Sequence, residues 1–285
     1  MVVVSGSLGI VVGVDGSPEA LLAVDWAACE AVARRCPLTV CHVVRFRRVE
    51  VRLPDELLHQ VIDSGQAIVD GAVERARVAD RAGPVVGRLE CGGVAEALLG
   101  LADSATELVL GARGGGGFDR LRLGSVVGQV VAHAGCPVTV VRAPAGSTGV
   151  VVGVDGSDNS RAALEYGFRF AVEHQLPVQA MYVHPWAAVP LPGFGYQLVD
   201  PQTTQDAGQR LVDDTVAPLA AKFPEVPVES TVVSGHPAGV LADTSRGATL
   251  LVVGSRGHGG FTGLVLGSVS QAVLRHAHCP VTIVH

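Results

Sequence analysis

The heptapeptide VVGVDGS occupies residues 11–17 and returns unchanged at residues 151–157. A longer stretch, GARGGGGFDRLRLGSV at 111–126, returns as GSRGHGGFTGLVLGSV at 254–269. The first pair is separated by 140 positions and the second pair by 143. Because the repeats of solenoid proteins are only about 20–50 residues long, this period indicates a duplicated domain.

A short linker separates the two copies. Residues 143–148 read APAGST, a run of proline and small residues that is typical of a loop between domains. The predicted domains are therefore 1–146 and 147–285. The length of 285 residues agrees with this division, since domains average roughly 150 residues and each half is long enough to bury its own core.

Composition and charge exclude several classes of protein. With 48% hydrophobic and 17% charged residues the chain is not disordered, and its net charge of −6 argues against a nucleic-acid partner. The mean hydropathy of +0.39 is high, but the charge-free stretches 123–141 and 184–199 contain too many polar residues to span a membrane. Buried parallel strands explain the high mean hydropathy better than a membrane span does. With no export signal and no CxxC spacing among six cysteines, we expect a cytoplasmic protein with reduced thiols.

Strand and helix patterns alternate five times within one copy, with short connections. This alternation predicts an α/β fold, with a doubly wound parallel sheet in each domain. Ligands of such sheets bind beyond the carboxyl ends of the strands. In the first copy, strands are predicted over 8–14, 38–44, 85–89, 108–110 and 138–141, and helices from Ser17 to about Arg34, over 55–81, from Val94 and from Gly124.

The fourth strand of each copy leads into the same glycine pattern, Gly-x2-Gly-x9-Gly-Ser. Glycine lets the backbone approach a ligand closely, and a helix that starts at the final Gly-Ser pair offers unpaired N–H groups to an anion. The pattern is not a P-loop, since it lacks GxxxxGK[ST] and the single lysine, Lys222, lies far from both copies. Arg113 and Arg256 are the candidate cations inside the pattern, and a solvated surface arginine is the alternative for each.

On these motifs the chain resembles a tandem universal stress protein of the actinobacterial type, over residues 8–285. The glycine pattern is characteristic of the ATP-binding branch of that family. The resemblance implies an adenine nucleotide alpha hydrolase-like fold, with five parallel strands in the order 3-2-1-4-5 in each domain. It also implies a role in the stress response and ATP as the ligand, with Mg²⁺ carried by the phosphates. No metal site of the protein's own is predicted, because the histidine and cysteine pairs at 133–136 and 276–279 have no second ligand pair nearby in sequence.

The resemblance implies a role for each site residue. Asp15 and Asp155 would meet the ribose hydroxyls, although a carboxylate that only caps the following turn is the alternative. The residues expected near adenine are Gly13, Val14, Val43, Gly153, Val154 and Val183, and those expected near the ribose are Gly111 and Gly254. The residues expected at the phosphates are Gly114, Gly124, Ser125 and Val126, with Gly257, Gly267, Ser268 and Val269 in the second copy.

These features predict a nucleotide-binding regulatory protein without catalytic residues. No GxSxG motif is present, and neither half supplies a positioned general base or a strong nucleophile. A slow ATPase on the same fold and an interaction scaffold whose sites hold no nucleotide are the alternatives. The resemblance implies an intramolecular pseudo-dimer of the two domains and a homodimer of the chain. The charge and the polar residues of the charge-free stretches argue against a nucleic-acid or membrane partner.

The charge of the two glycine loops predicts unequal sites. Residues 119–122 of the first copy carry two arginines and one aspartate, whereas the equivalent residues 262–265 are uncharged. One additional positive charge favours a ligand with several negative charges. The first site is therefore expected to bind a triphosphate more tightly than the second.

Overall fold

A computed structural model describes residues 8–45, 54–78, 83–114, 123–142, 145–184, 188–191, 195–198, 201–258 and 265–285. The chain divides into two compact units, Met1–Pro144 and Ala145–His285. Among the described residues, every helix is too short or too polar to cross a membrane.

The first unit is a parallel sheet flanked by helices. Its strands are β1 (Ile10–Val14), β2 (Leu38–Val44), β3 (Val85–Cys91), β4 (Glu107–Gly111) and β5 (Val138–Val141), and its helices are α1 (Pro18–Ala33), α2 (Asp55–Val78), α3 (Val94–Ala102) and α4 (Ser125–His133). The strands take the order β3-β2-β1-β4-β5, and every neighbouring pair is parallel. The predicted fold class and strand order are therefore confirmed.

The second unit repeats this arrangement and adds a hairpin. Its elements are β6 (Val150–Gly153), α5 (Asp158–His174), β7 (Val178–His184), β8 (Ala188–Leu191), β9 (Gly195–Leu198), α6 (Pro201–Lys222), β10 (Val228–Ser234), α7 (Pro237–Thr244), β11 (Leu250–Gly254), α8 (Ser268–His276) and β12 (Val281–Val284). Five of the strands form a sheet in the order β10-β7-β6-β11-β12. The antiparallel pair β8 and β9 has no counterpart among the described residues of the first unit, and the sequence patterns did not predict it.

Strand β1 begins two residues later than predicted, and the backbone explains the difference. Gly9 has a φ of +64°, a left-handed conformation that interrupts an extended strand. The N–H of Leu8 donates instead to the carbonyl of Ser104. The regular ladder therefore starts at Ile10, which pairs with Leu38 of β2 and Glu107 of β4.

The core of each unit lies between the sheet and its helices. Strands β1 and β4 are buried along almost their whole length, which accounts for the high mean hydropathy of the chain. Helix α1 packs on them through small side chains such as Ala23 and Ala27, both fully buried. As predicted, Ser17 caps this helix by accepting a hydrogen bond from the N–H of Ala20, and Pro18 occupies the first turn.

The topology opens a crevice at the carboxyl ends of two central strands in each sheet. Strands β1 and β4 are neighbours, but the chain leaves β1 into α1 and leaves β4 toward α4, and α4 packs beside α3 rather than beside α1. Strands β6 and β11 and their helices repeat this relationship in the second unit. Such a reversal of direction is where doubly wound sheets place their ligands.

Candidate functional site

A cavity of about 460 Å³ opens at the carboxyl ends of β6 and β11 in the second unit. Ligand sites for small molecules commonly have volumes of about 300–1,000 Å³. All of the residues that the sequence predicts for this site line the cavity: Gly153, Val154, Asp155, Val183, Gly254, Arg256, Gly257, Gly267, Ser268 and Val269. The structure thus brings them together around one space.

Sequence reasoning missed several other residues of this wall, namely Ser160, Met181, Pro237, Leu241, Val253, Leu266 and Ser270. Strand alternation could have found Met181, because it lies two residues before Val183 and so faces the same side of β7. Pro237 and Leu241 stand four residues apart on α7, where they share one face. No motif marks α7, so the pairing of this helix with the site needed the structure.

The cavity is apolar on one side and polar on the other. Met181 and Val183 of β7 lie on the side of β6 opposite β11, and both are buried in contact with the cavity. The other side is formed by the start of α8, where Ser268 and Val269 present backbone N–H groups and Ser268 adds a hydroxyl. This division suits a ligand with an apolar ring at one end and an anion at the other.

Helix α8 begins at this polar side without a side-chain cap. Its N-cap residue is Gly267, with φ −69° and ψ 155°, and no side chain of the described residues accepts from its first turn. Helix α5 of the same unit is capped in the usual way, since Ser157 Oγ accepts from the N–H of Ser160 at 3.2 Å. The first N–H groups of α8, together with the helix dipole, therefore remain available to an anion.

The first unit repeats this contrast between its helices. Ser17 caps α1, whereas α4 begins at Gly124, again without a side-chain cap among the described residues. Ser125 and Val126 follow in the first turn of α4, as Ser268 and Val269 do in α8. Both glycine patterns thus end at an uncapped helix.

Asp155 joins the loop after β6 to the glycine segment after β11. Its Oδ1 accepts from the N–H and the hydroxyl of Ser157, at 3.0 and 2.6 Å, and its Oδ2 accepts from the N–H of His258 at 3.1 Å. Burial alone would raise the pKa of Asp155, but the hydrogen bonds from Ser157, Ser160 and His258 outweigh it and hold the pKa below the usual value. The carboxylate therefore caps the turn and also lines the cavity.

Asp15 occupies the same place in the first unit. Its Oδ1 accepts from the N–H of Ser17 at 3.0 Å. A Cβ on Gly114 would collide with Oδ2 of Asp15, just as a Cβ on Gly257 would collide with Oδ2 of Asp155. The second glycine of each pattern therefore leaves room for the aspartate carboxylate where it now lies, before any ligand is considered.

Packing also accounts for the first glycine of each pattern. A Cβ on Gly254 would lie 2.8 Å from the backbone carbon of Asn159, and a Cβ on Gly111 would lie 2.7 Å from the backbone of Glu19. Backbone atoms at the start of a helix cannot move aside cheaply. The sequence interpretation placed both glycines near the ribose, whereas the structure shows that they also let a strand end approach a helix.

The two arginines of the pattern have different surroundings. In the first unit, Arg113 Nη1 lies 4.0 Å from Glu19 Oε1. Burial and the proximity of Arg113 lower the pKa of Arg142, a second guanidinium that sequence reasoning missed. In the second unit, Arg256 lines the cavity and is exposed, and it forms no ion pair within the described part of the chain.

The remaining predicted residues of the first unit occupy positions equivalent to those of their counterparts in the second unit. Val14 and Val43 are buried at the ends of β1 and β2, and Gly13 lies against Leu98 and Leu110. The charged residues 119–122 of the first glycine loop, on which the prediction of unequal charge depends, lie outside the described residues.

The contacts of Asp155 predict a pH-dependent stability. Because its pKa is lowered in the folded protein, the unfolded chain binds this proton more readily. The stabilisation is present above the ordinary carboxyl pKa of about 3.9 and is lost as the pH falls through the folded value. We expect Asp155→Asn to cost about 1–3 kcal/mol at neutral pH, with the gap to wild type closing toward pH 3.

Urea unfolding of both proteins at pH 7, 4 and 3 measures this gap. The matched control is Asp158→Asn, which changes a fully exposed carboxylate whose partner among the described residues is Arg161, at 3.1 Å, and should cost little at neutral pH. A cost for Asp155→Asn that is the same at all three pH values would contradict the prediction.

Comparison with known proteins is consistent with this geometry. The model of the Universal stress protein family matches the chain twice, over residues 9–142 and 148–285. A universal stress protein of Mycobacterium tuberculosis is 37% identical over 290 residues, which covers 96% of each chain. A second one from the same species is 34% identical over 299 residues and covers 98% of this chain and 97% of its own.

Solved structures agree on the fold. The crystal structure of a universal stress protein from Archaeoglobus fulgidus superposes with a TM-score of 0.72, covering 98% of this chain and 96% of that one at 17% identity. The two family-model matches and the relatives that align over almost the whole chain show common descent in addition to a common fold. The chain therefore belongs to the universal stress protein family, in its tandem-domain form.

Proposed function

We propose that this stress protein binds ATP as a regulatory ligand, with a first site in domain 1–146 and a second site in domain 147–285. One observation carries the proposal. The uncapped start of α8 faces a cavity of about 460 Å³ whose opposite side is apolar. An anion is needed at one end of this space and an apolar ring fits the other.

The second site offers a partner for each part of the nucleotide. The N–H groups after Gly267, the hydroxyl of Ser268 and the guanidinium of Arg256 would hold the phosphates, with Mg²⁺ carried by the phosphates themselves. Asp155 remains ionised and would accept ribose hydroxyls on its remaining lone pairs. The apolar side at Val183 would contact the adenine.

The same contacts favour regulation over hydrolysis. A carboxylate with a lowered pKa is a weak general base, and Asp155 already accepts hydrogen bonds on both oxygens. ATP would act by stabilising one conformation or assembly through its differential affinity for that state. A cytoplasmic location and a homodimer, with twice the 29.3 kDa mass of the chain, belong to the same proposal.

Calorimetric titration of the whole chain with ATP and saturating magnesium tests the proposal. We expect two equivalents of ATP, because both glycine patterns lead to an uncapped helix. GTP at matched concentration should stabilise the protein less than ATP in thermal unfolding. No binding would refute the proposal, equal stabilisation by GTP would remove the adenine preference, and sustained phosphate release would favour the slow ATPase.

A further inference from the structure

The second unit carries side-chain hydrogen bonds that fasten its phosphate end. Ser270 Oγ, in the first turn of α8, donates to the carbonyl of Gly254 at 2.7 Å. Asn159 Nδ2, in the first turn of α5, donates to Ser255 Oγ at 3.2 Å. Ser255 and Ser270 are almost completely buried. These bonds join the end of β11 to the starts of both neighbouring helices.

The equivalent residues of the first unit cannot form these bonds. The repeat places Ala112 and Val127 where the second unit has Ser255 and Ser270, so both hydroxyls are missing. Glu19 replaces Asn159 and lies near Arg113 instead.

The backbone at the start of the last helix shows the same difference. In the second unit the N–H of Gly267 donates to the carbonyl of Ser255 at 2.7 Å. In the first unit the N–H of Gly124 donates to the carbonyl of Ala112 at 3.2 Å. The glycine that precedes the anion-binding turn is therefore held more closely in the second unit.

We propose that Asn159, Ser255 and Ser270 are positioning residues that hold the second site ready for phosphate, so that it binds ATP more tightly than the first. The inference rests on the proposed function, in which both sites bind ATP. A site that is already ordered loses less conformational freedom when the ligand binds. The advantage acts on the phosphates alone, because the bonds of these three residues hold the end of β11 and the start of α8, at the polar side of the cavity.

This inference opposes the prediction from loop charge, and salt separates the two. An advantage due to additional arginines weakens as ionic strength rises, because mobile ions screen exposed charges. An advantage due to preformed geometry persists at high ionic strength, because it does not depend on exposed charges. The two explanations therefore give different orders of affinity at high salt.

Each site can be measured alone. Gly124→Asp fills the first anion site with its own carboxylate, and Gly267→Asp does the same in the second. Titration of these two variants with ATP and magnesium should give a dissociation constant about tenfold lower for the second site, at both low and high salt. Adenosine should bind the two sites with closer affinities, since it has no phosphates.

Exchange of residues between the units then identifies the cause. In the Gly124→Asp background, Ser255→Ala with Ser270→Val should weaken ATP binding about tenfold while adenosine binding is unchanged. Ser255→Ala alone is informative, because Ser255 does not belong to the described lining of the cavity and can act only through its neighbours. In the Gly267→Asp background, Ala112→Ser with Val127→Ser should strengthen ATP binding at the first site.

One further measurement and a control variant separate positioning from general stability. Amide hydrogen exchange of residues 267–272 in the unliganded protein should become faster in the Ser270→Val variant. The control is Ser245→Ala, which removes a buried hydroxyl that donates to Ala242 and accepts from the N–H of His278. This control should lower stability without changing ATP affinity.

Equal affinities of the two sites, or a first site that is tighter at high salt, would overturn the inference and leave ATP binding intact. A loss of adenosine and ATP binding in equal proportion after the serine exchange would also overturn it. Failure of the unmodified chain to bind ATP at all would instead refute the proposed function.

Discussion

We expect Gly267→Asp to abolish ATP binding at the second site while leaving its unit folded and slightly more stable. Gly267 has the extended backbone of an ordinary N-cap, and a Cβ added there would lie 3.3 Å from the carbonyl oxygen of Ser255, a close contact that a shift of a few tenths of an ångström relieves. An aspartate can therefore cap α8, and relative to glycine such a cap is worth about a few tenths of a kcal/mol. Its negative charge would occupy the place proposed for the phosphates, so ATP affinity should fall by more than about a hundredfold.

Opposite changes of affinity and stability are the distinctive result. Thermal unfolding without ligand and calorimetric titration with ATP measure them on the same sample. Gly267→Asn is the neutral control, since asparagine caps a helix about as well but adds no charge and should reduce affinity less. Gly124→Asp should remove only the first site. If Gly267→Asp kept two full equivalents of ATP, the phosphates would not lie at the start of α8.

We expect Gly254→Ala to destabilise the second unit severely, whether or not ligand is present. The added Cβ would lie 2.8 Å from the backbone carbon of Asn159, where the first turn of α5 packs against the end of β11. Relief requires the helix to move away from the strand, at a cost of about 3 kcal/mol or more. For a unit of this size, the melting temperature should fall by roughly 10 °C.

The matched control is Gly239→Ala, at the third residue of α7. A Cβ on Gly239 meets no atom within 4 Å, and alanine favours a helix over glycine by about 0.5–1 kcal/mol. This variant should therefore be slightly stabilised. Gly111→Ala should damage the first unit as Gly254→Ala damages the second, because its Cβ would meet the backbone of Glu19. A stable, unchanged Gly254→Ala protein would show that the start of α5 can shift.

Much of the fold could be predicted because its signals are local and occur twice. Continuous apolar runs bounded by Gly, Pro and Asp marked the buried strands, and Ser17 with Pro18 marked the start of α1. The predicted ends of the strands were less accurate than the predicted strands themselves. β3 extends to Cys91 through hydrogen bonding with β2, a contact between distant segments that no local pattern contains. The hairpin of β8 and β9 was missed in a stretch rich in proline and glycine.

The residues of the candidate site likewise fall into two groups, those that a local sequence pattern marks and those that it does not. Gly257 and Gly267 were found because they belong to a spaced pattern, but the reasons for glycine differ. Gly257 makes room for the carboxylate of Asp155, whereas a Cβ at position 267 would need only a small shift away from the carbonyl of Ser255. Ser270 and Leu241 were missed because their roles depend on which helix packs beside which strand. The pairing of Glu19 with Arg113 joins residues 94 positions apart and likewise has no local signal.

The uncapped helices α4 and α8 have a consequence for the lifetime of the protein in a cell. If the proposed nucleotide completes them, it would also protect the folded chain, by about 2.7 kcal/mol per site at a concentration a hundredfold above the dissociation constant. Proteases that act on the unfolded chain would then remove it about a hundred times less often. Abundance would follow the adenylate pool over hours, so the protein would retain a record of past energy supply.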